Sequence, residues 1–424
     1  MKKKLRLVAF LYILILATVS VRAEQTYETG NGMLLVGQPD ASRDMIAFSL
    51  IIKAGYANEP ADKKGVALLT SEYFREIMQS YMDTYIETYT FNEYTVFRGL
   101  IPATEAKKDK LVNGIFSVYE YADIALHFDL FLLVKNQMEL DSDDSIHVGL
   151  DRFWREFYGE PHPYYHPITK ENIGRLTADD MVNFYLQWYC PSRSVLSLGG
   201  KYLTGNQSLT NYGSALGFIL EKEKKEVQKA KVDMVSPTAG KSINIDGREN
   251  VGAIVYGFAG PQLDTDEFYA MRVIDEYLNG MSGELYKKLR HETGLTYAAE
   301  FYYDPFGYRY APFSTVILKI MPADMDLAAQ AIDSIILEIQ GNGIPEARFN
   351  EIMGSLRKRR EVWSKDPMYD TYQRGLYHAF HWDYLNNDRY YEKLQKTTME
   401  QIKQVAVKYF KNGLLIKVMP AKDK

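Results

Sequence analysis

FRGLIPATEAKKDKLVNGIF at residues 97–116 and ILKIMPADMDLAAQAIDSII at residues 317–336 decide the fold class. Each reads as a strand, then Pro-Ala, then apolar residues at helical spacing. Pro102 and Pro322 lie 220 residues apart. A second pair repeats at an offset of 221: TADDMVNFYLQWYCPSRSVLSL from Thr177 and TMEQIKQVAVKYFKNGLLIKVM from Thr398. Each of these opens on a capping box, Thr177 with Asp180 and Thr398 with Gln401. There the threonine hydroxyl satisfies a free N–H of the first helical turn. Each helix then runs into a terminal strand. Two matches at nearly one offset mark an internal duplication.

Working outward, residues 32–37, 45–53 and 91–101 read as strands. Residues 64–79 and 177–189 read as helices, and long helices are expected through residue 138. Strands grouped apart from helices indicate an α+β fold. The expected architecture is two similar halves, each a mainly antiparallel sheet covered by helices. The halves are read as 24–220 and 241–424. Between them EKEKKEVQKAK at 221–231 is charged and poor in large apolar residues. With the loop Ser236-Pro237-Thr238-Ala239-Gly240 it forms a solvated linker over 221–240.

Hydrophobic content of 46% and charged content of 25% exclude disordered, collagen-like and coiled-coil chains. A net charge of −5 argues against a nucleic-acid partner. The lone cysteine, Cys190, excludes an internal disulfide. Lys2, Lys3, Lys4 and Arg6 precede an apolar run from Leu7 to Val19, and Val21-Arg22-Ala23 supplies a small-x-small site. This reads as a secretory signal peptide over residues 1–23, too short to be a spanning helix. The mature chain would start near Glu24 with 45 basic against 55 acidic residues. No later stretch is apolar enough to span a membrane. The reading is an exported protein, with a bacterial periplasm as its compartment.

Three groups of residues then converge. One is Ala54-Gly55-Tyr56-Ala57-Asn58-Glu59-Pro60 followed by Lys63-Lys64-Gly65-Val66-Ala67. Another is Tyr189-Cys190-Pro191 with Gly199-Gly200. The third is Gly280-Met281-Ser282-Gly283-Glu284-Leu285 followed by Leu289-Arg290-His291-Glu292-Thr293-Gly294-Leu295-Thr296-Tyr297. Together, over about residues 26–420, they resemble the pitrilysin/insulinase-like (inverzincin) zinc peptidases, which include the mitochondrial processing peptidases. The resemblance implies two α+β halves arranged as a clam-like chamber.

It also implies a site, and here the chain departs from the family. In the family H-x-x-E-H follows Gly-x-Ala on a helix; its histidines bind zinc and its glutamate is the general base. Alignment on Gly65-Val66-Ala67 puts Leu68, Ser71 and Glu72 at those positions, with Glu139 near the third ligand's place. Leu68 offers no lone pair, and a catalytic zinc needs three protein ligands. The resemblance therefore implies a degenerate member with no catalytic residue, metal or cofactor of its own. Arg290 and Tyr297 stand at the family's substrate-binding positions, where their N–H and O–H donors suit a developing oxyanion.

Other candidates carry less. His378 and His381, three apart, lack a third ligand. His162 and His166 flank a Pro-rich loop and read as structural. Tyr81, Tyr85, Tyr89 and Tyr94 read first as packing residues. Three functions stay open. The leading one is a non-catalytic, substrate-binding subunit of a heterodimeric zinc peptidase, with zinc in a homologous H-x-x-E-H-bearing partner and a peptide as substrate. The others are an inactive scaffold or assembly subunit, and an active hydrolase with a rearranged site.

Overall fold

The computed structural model describes residues 24–40, 42–119, 128–141, 144–202, 209–219, 235 and 240–421. Residues 1–23, read from sequence as a signal peptide, and most of the expected linker at 221–240 lie outside the described residues. The first half contributes β1 (Gln25–Glu28), β2 (Leu34–Pro39), β3 (Met45–Ile52), β4 (Ile86–Thr90), β5 (Thr95–Pro102) and β6 (Ser194–Gly200). The second contributes β7 (Lys241–Asp246), β8 (Gly252–Ala259), β9 (Ala299–Tyr303), β10 (Phe313–Ile320) and β11 (Leu414–Met419). Among the described residues they form two sheets, ordered β1-β2-β6-β3-β5-β4 and β7-β11-β8-β10-β9. With β1 set aside, the two orders match strand for strand. Each sheet has a parallel pair, β2 with β6 and β7 with β11, among antiparallel ladders.

The helices are α1 (Val66–Met82), α2 (Glu105–Ser117), α3 (Phe128–Asp141), α4 (Ser145–Tyr158), α5 (Lys170–Arg175), α6 (Ala178–Trp188) and α7 (Leu209–Leu216). In the second half they are α8 (Asp266–Leu278), α9 (Met325–Asn342), α10 (Glu346–Trp363), α11 (Pro367–Phe380), α12 (Asn387–Gln395) and α13 (Met399–Tyr409). The duplicated strand–Pro-Ala–helix units are β5 with α2 and β10 with α9. Both capping boxes form: Asp180 and Gln401 backbone N–H groups donate to Thr177 and Thr398 Oγ1 at 3.2 and 3.3 Å. The strand expected at 91–101 instead begins at Thr95. Phe91 to Tyr94 make a turn, closed by the Phe91 N–H on the Tyr94 carbonyl at 2.8 Å, and β4 precedes it.

Each sheet borrows a helix from the other half. α4 lies on β8 and β11 of the second sheet, and α11 lies on β3 and β6 of the first. A glycine permits each approach. A Cβ on Gly149 would sit 2.7 Å from Val255 Cγ2, and one on Gly375 would sit 2.7 Å from Ile51 Cδ1. Alternation along β3 then divides two cores. Leu50 and Ile52 pack with α1, whereas Ile51 joins Leu376 and Ala379 of α11 in a core continuous with the second half. Both faces of the central strands are thus removed from water, which is why β3 and β8 read as near-continuous apolar runs.

Candidate functional site

α1 starts where Gly65 turns into the left-handed region (φ 94°). The buried Glu59 carboxylate caps it: Oε1 accepts from the Gly65 and Ala67 N–H groups at 3.0 and 2.9 Å. A negative group at a helix N-terminus is favourable. Burial nonetheless pushes its pKa up to about 7, against the pull of Lys64 and the two N–H donors. Val66, Leu69, Tyr73, Phe74 and Ile77 then turn the apolar face of α1 into the first core.

The opposite face carries Leu68, Ser71 and Glu72. Leu68 lines a cavity of about 500 Å³ between the halves. Ser71 is fully buried; its hydroxyl donates to the Leu68 carbonyl at 2.8 Å and lies 2.7 Å from Thr90 Oγ1. Glu72 is held at 2.7 Å by Arg75 Nε of its own helix. Glu139 on α3 does not line the cavity, whereas its neighbour Met138 does. The Glu139 carboxylate lies beside Gly174 of α5. An aliphatic chain, an engaged hydroxyl and a carboxylate bound by arginine do not fit a zinc ion. Among the described residues no group of three or more His, Cys, Asp or Glu side chains is placed to hold a metal.

Arg290 and Tyr297 lie apart from that cavity, on and just after a π-helical turn at Tyr286–Glu292. The structure brings them together: the Arg290 guanidinium sits 4.2 Å from the centre of the Tyr297 ring and 5.1 Å from that of Tyr286. Tyr297 is 80% exposed, and Arg290 beside it is half-buried. His378 contacts the Glu24 carboxylate at 2.7 Å, and His381 ends α11 in the left-handed region. His162 stacks on Tyr158 at 4.7 Å. His166 is buried, stacks on Tyr56 at 4.1 Å and lines the cavity; burial pushes its pKa down to about 3, keeping it neutral. Tyr94 is in the core, while Tyr81, Tyr85 and Tyr89 are exposed.

Sequence reading missed most of the cavity wall. Ile146, Leu150, Asp151 and Trp154 come from α4, one of the exchanged helices, and Tyr302, Tyr308 and Thr315 come from the second half. The amphipathic spacing of residues 145–158 is a helix signal, but nothing in it names the sheet on which the helix lies. Among the described residues no helix is long and apolar enough to cross a membrane.

Residues 175–356 match the family described as Peptidase M16 inactive domain. The chain is 21% identical over 308 residues to an uncharacterized zinc protease of Mycobacterium leprae, covering 72% of this chain and 67% of that protein. Its fold is similar to that of a protease from Helicobacter pylori, with a TM-score of 0.81 at 15% identity over 94% of this chain and 100% of the other. It is also similar to the peptidase M16 inactive domain of Pseudomonas fluorescens, with a TM-score of 0.74 at 17% identity over 95% and 99%. Residues 175–356 thus match the Peptidase M16 inactive domain, and the two-halved α+β fold is similar to that of M16-like peptidases along almost the whole chain.

Proposed function

We propose that this chain is the non-catalytic, substrate-binding subunit of a heterodimeric zinc peptidase. The observation that carries this reading is a contrast between the halves. The motif helix α1 offers Leu68, Ser71 and Glu72 where zinc ligands and a base would stand. The second half keeps Arg290 and Tyr297 in mutual contact, with Tyr297 exposed. In this reading a homologous partner carries H-x-x-E-H and the zinc. Arg290 and Tyr297 hold the scissile carbonyl of a peptide and stabilise its developing charge through N–H and O–H donors. Strand β4 supports peptide binding, because among the described residues it pairs with β5 alone and leaves an edge for an added strand. The basic, apolar and small-residue pattern of residues 1–23 supports export to a periplasm, and the division at 221–240 follows the charged linker.

The test is co-expression with a homologue bearing an intact H-x-x-E-H, followed by a peptidase assay of the purified complex. A stable complex more active than the partner alone is expected. Arg290→Ala should lower its kcat/KM about 100-fold, typical for one lost oxyanion donor. Full activity of the partner alone, or of the Arg290→Ala complex, would overturn the reading.

A further inference from the structure

The cavity beside Leu68 contains a set of polar groups that the proposed substrate role does not use. Asn92 Oδ1, Asp151 Oδ1, Trp154 Nε1 and Thr315 Oγ1 are buried without a hydrogen-bond partner, and all four residues line it. Asn92 and Thr315 are 1% and 0% exposed. The Asn92 amide nitrogen is already spent on the Gly307 carbonyl at 2.7 Å, which leaves its oxygen as the open acceptor. A buried polar group with no partner costs about 1–3 kcal/mol, so four around one cavity call for an occupant. They supply two acceptors and two groups able to donate. The rest of the wall is mostly aromatic and aliphatic, with Thr90, His147, His166 and Asp304 as further polar members, and among the described residues neither lysine nor arginine lines it. The Asp304 carboxylate is engaged by the Phe306 and Gly307 N–H groups at 2.9 and 3.0 Å. The arginines near the site, Arg152, Arg155 and Arg248, act on Asp151 from outside the lining, so a wall whose own charged groups are carboxylates disfavours an anion. The volume, about 500 Å³, falls in the range of small-molecule sites.

We propose that this cavity binds a small uncharged molecule with an apolar ring and a polar end that both donates and accepts hydrogen bonds, such as an aromatic primary amide. The site is complete within one chain and does not rest on a partner subunit. Where active relatives would hold a metal and its water, this chain would hold a neutral organic ligand, with Leu68 as part of the apolar wall.

Phenylacetamide and its anionic counterpart phenylacetate are suitable probes for isothermal titration against the full chain. Saturable binding of phenylacetamide at one site is expected, with phenylacetate at least about tenfold weaker, a difference of ~1.4 kcal/mol. Leu68→Trp fills the cavity and should abolish binding. Thr315→Val removes the hydroxyl at constant shape; it should weaken phenylacetamide about tenfold while raising the melting temperature of the free protein. The two effects together mark a polar group kept for a ligand, and this second variant keeps the test decisive if Leu68→Trp fails to fold. Absence of saturable binding at about 5 mM, which means a cavity holding water only, would overturn the proposal. So would equal binding of phenylacetate, or unchanged binding by a folded Leu68→Trp variant.

Discussion

At position 68 a leucine faces the cavity one turn before Glu72, so a single helix face still has the i, i+4 geometry that a pair of zinc ligands needs. Leu68→His with Glu72→His places two imidazoles on that face. Equilibrium dialysis should show this double variant binding zinc better than the parent, though weakly, since a third ligand is missing. Adding Ser71→Glu sets a carboxylate where a fully buried hydroxyl now contacts Thr90, and should cost about 3 kcal/mol in a urea titration. A folded double variant no better than the parent would break the alignment of Leu68 and Glu72. These positions were legible in the sequence because a contiguous motif carries them. The contact between Arg290 and Tyr297 was legible for the same reason, since the two stand seven positions apart in one contiguous stretch. The cavity's open polar groups were not, because Asn92 of the β4–β5 turn, Asp151 and Trp154 of α4, and Thr315 of β10 come from three distant stretches that only the fold assembles.

Among the elements, α1 depends on a cap that titrates. The Glu59 pKa in the folded protein, about 7, lies above its ordinary 4.5. Below about pH 4.5 the group is protonated folded and unfolded, and its cap is held without penalty. Between there and pH 7 the unfolded chain gives up the proton while the folded chain keeps it, so stability falls as pH rises. Glu59→Gln keeps the acceptor oxygen and removes the titration. Urea unfolding should show the variant gaining about 3 kcal/mol on the parent between pH 4.5 and 8, from a shift of ~2.5 units at 1.36 kcal/mol each. A constant difference across that range would show that Glu59 is charged throughout. Most elements were legible in sequence because their signals are local: the Pro-Ala junctions after β5 and β10, and the threonine boxes before α6 and α13. The β4–β5 hairpin was misread because Phe91 and Tyr94, both apolar and β-prone, form its turn.

For the molecule as a whole, the duplication suggests two separable units, and the packing contradicts that. Each sheet has one face covered by a helix encoded in the other half, with Ser49 Oγ of β3 3.2 Å from Thr371 Oγ1 of α11 inside the joint core. Fragments 24–220 and 241–424, expressed apart, should each lack a cooperative melt and bind 8-anilinonaphthalene sulfonate through the uncovered faces. Mixed, they should regain a single transition. A sharp thermal transition in either fragment alone would refute this interdependence. The exchange of α11 also imposes a timetable on synthesis. A ribosome finishes β6 at Gly200, yet the sheet face bearing Val36, Ile51, Val96 and Val195 waits for residues 367–380. At ~5–20 residues per second that wait lasts roughly ten to thirty seconds, far longer than local collapse takes. The nascent first half therefore spends much of its synthesis with an adhesive surface that its own later sequence must close.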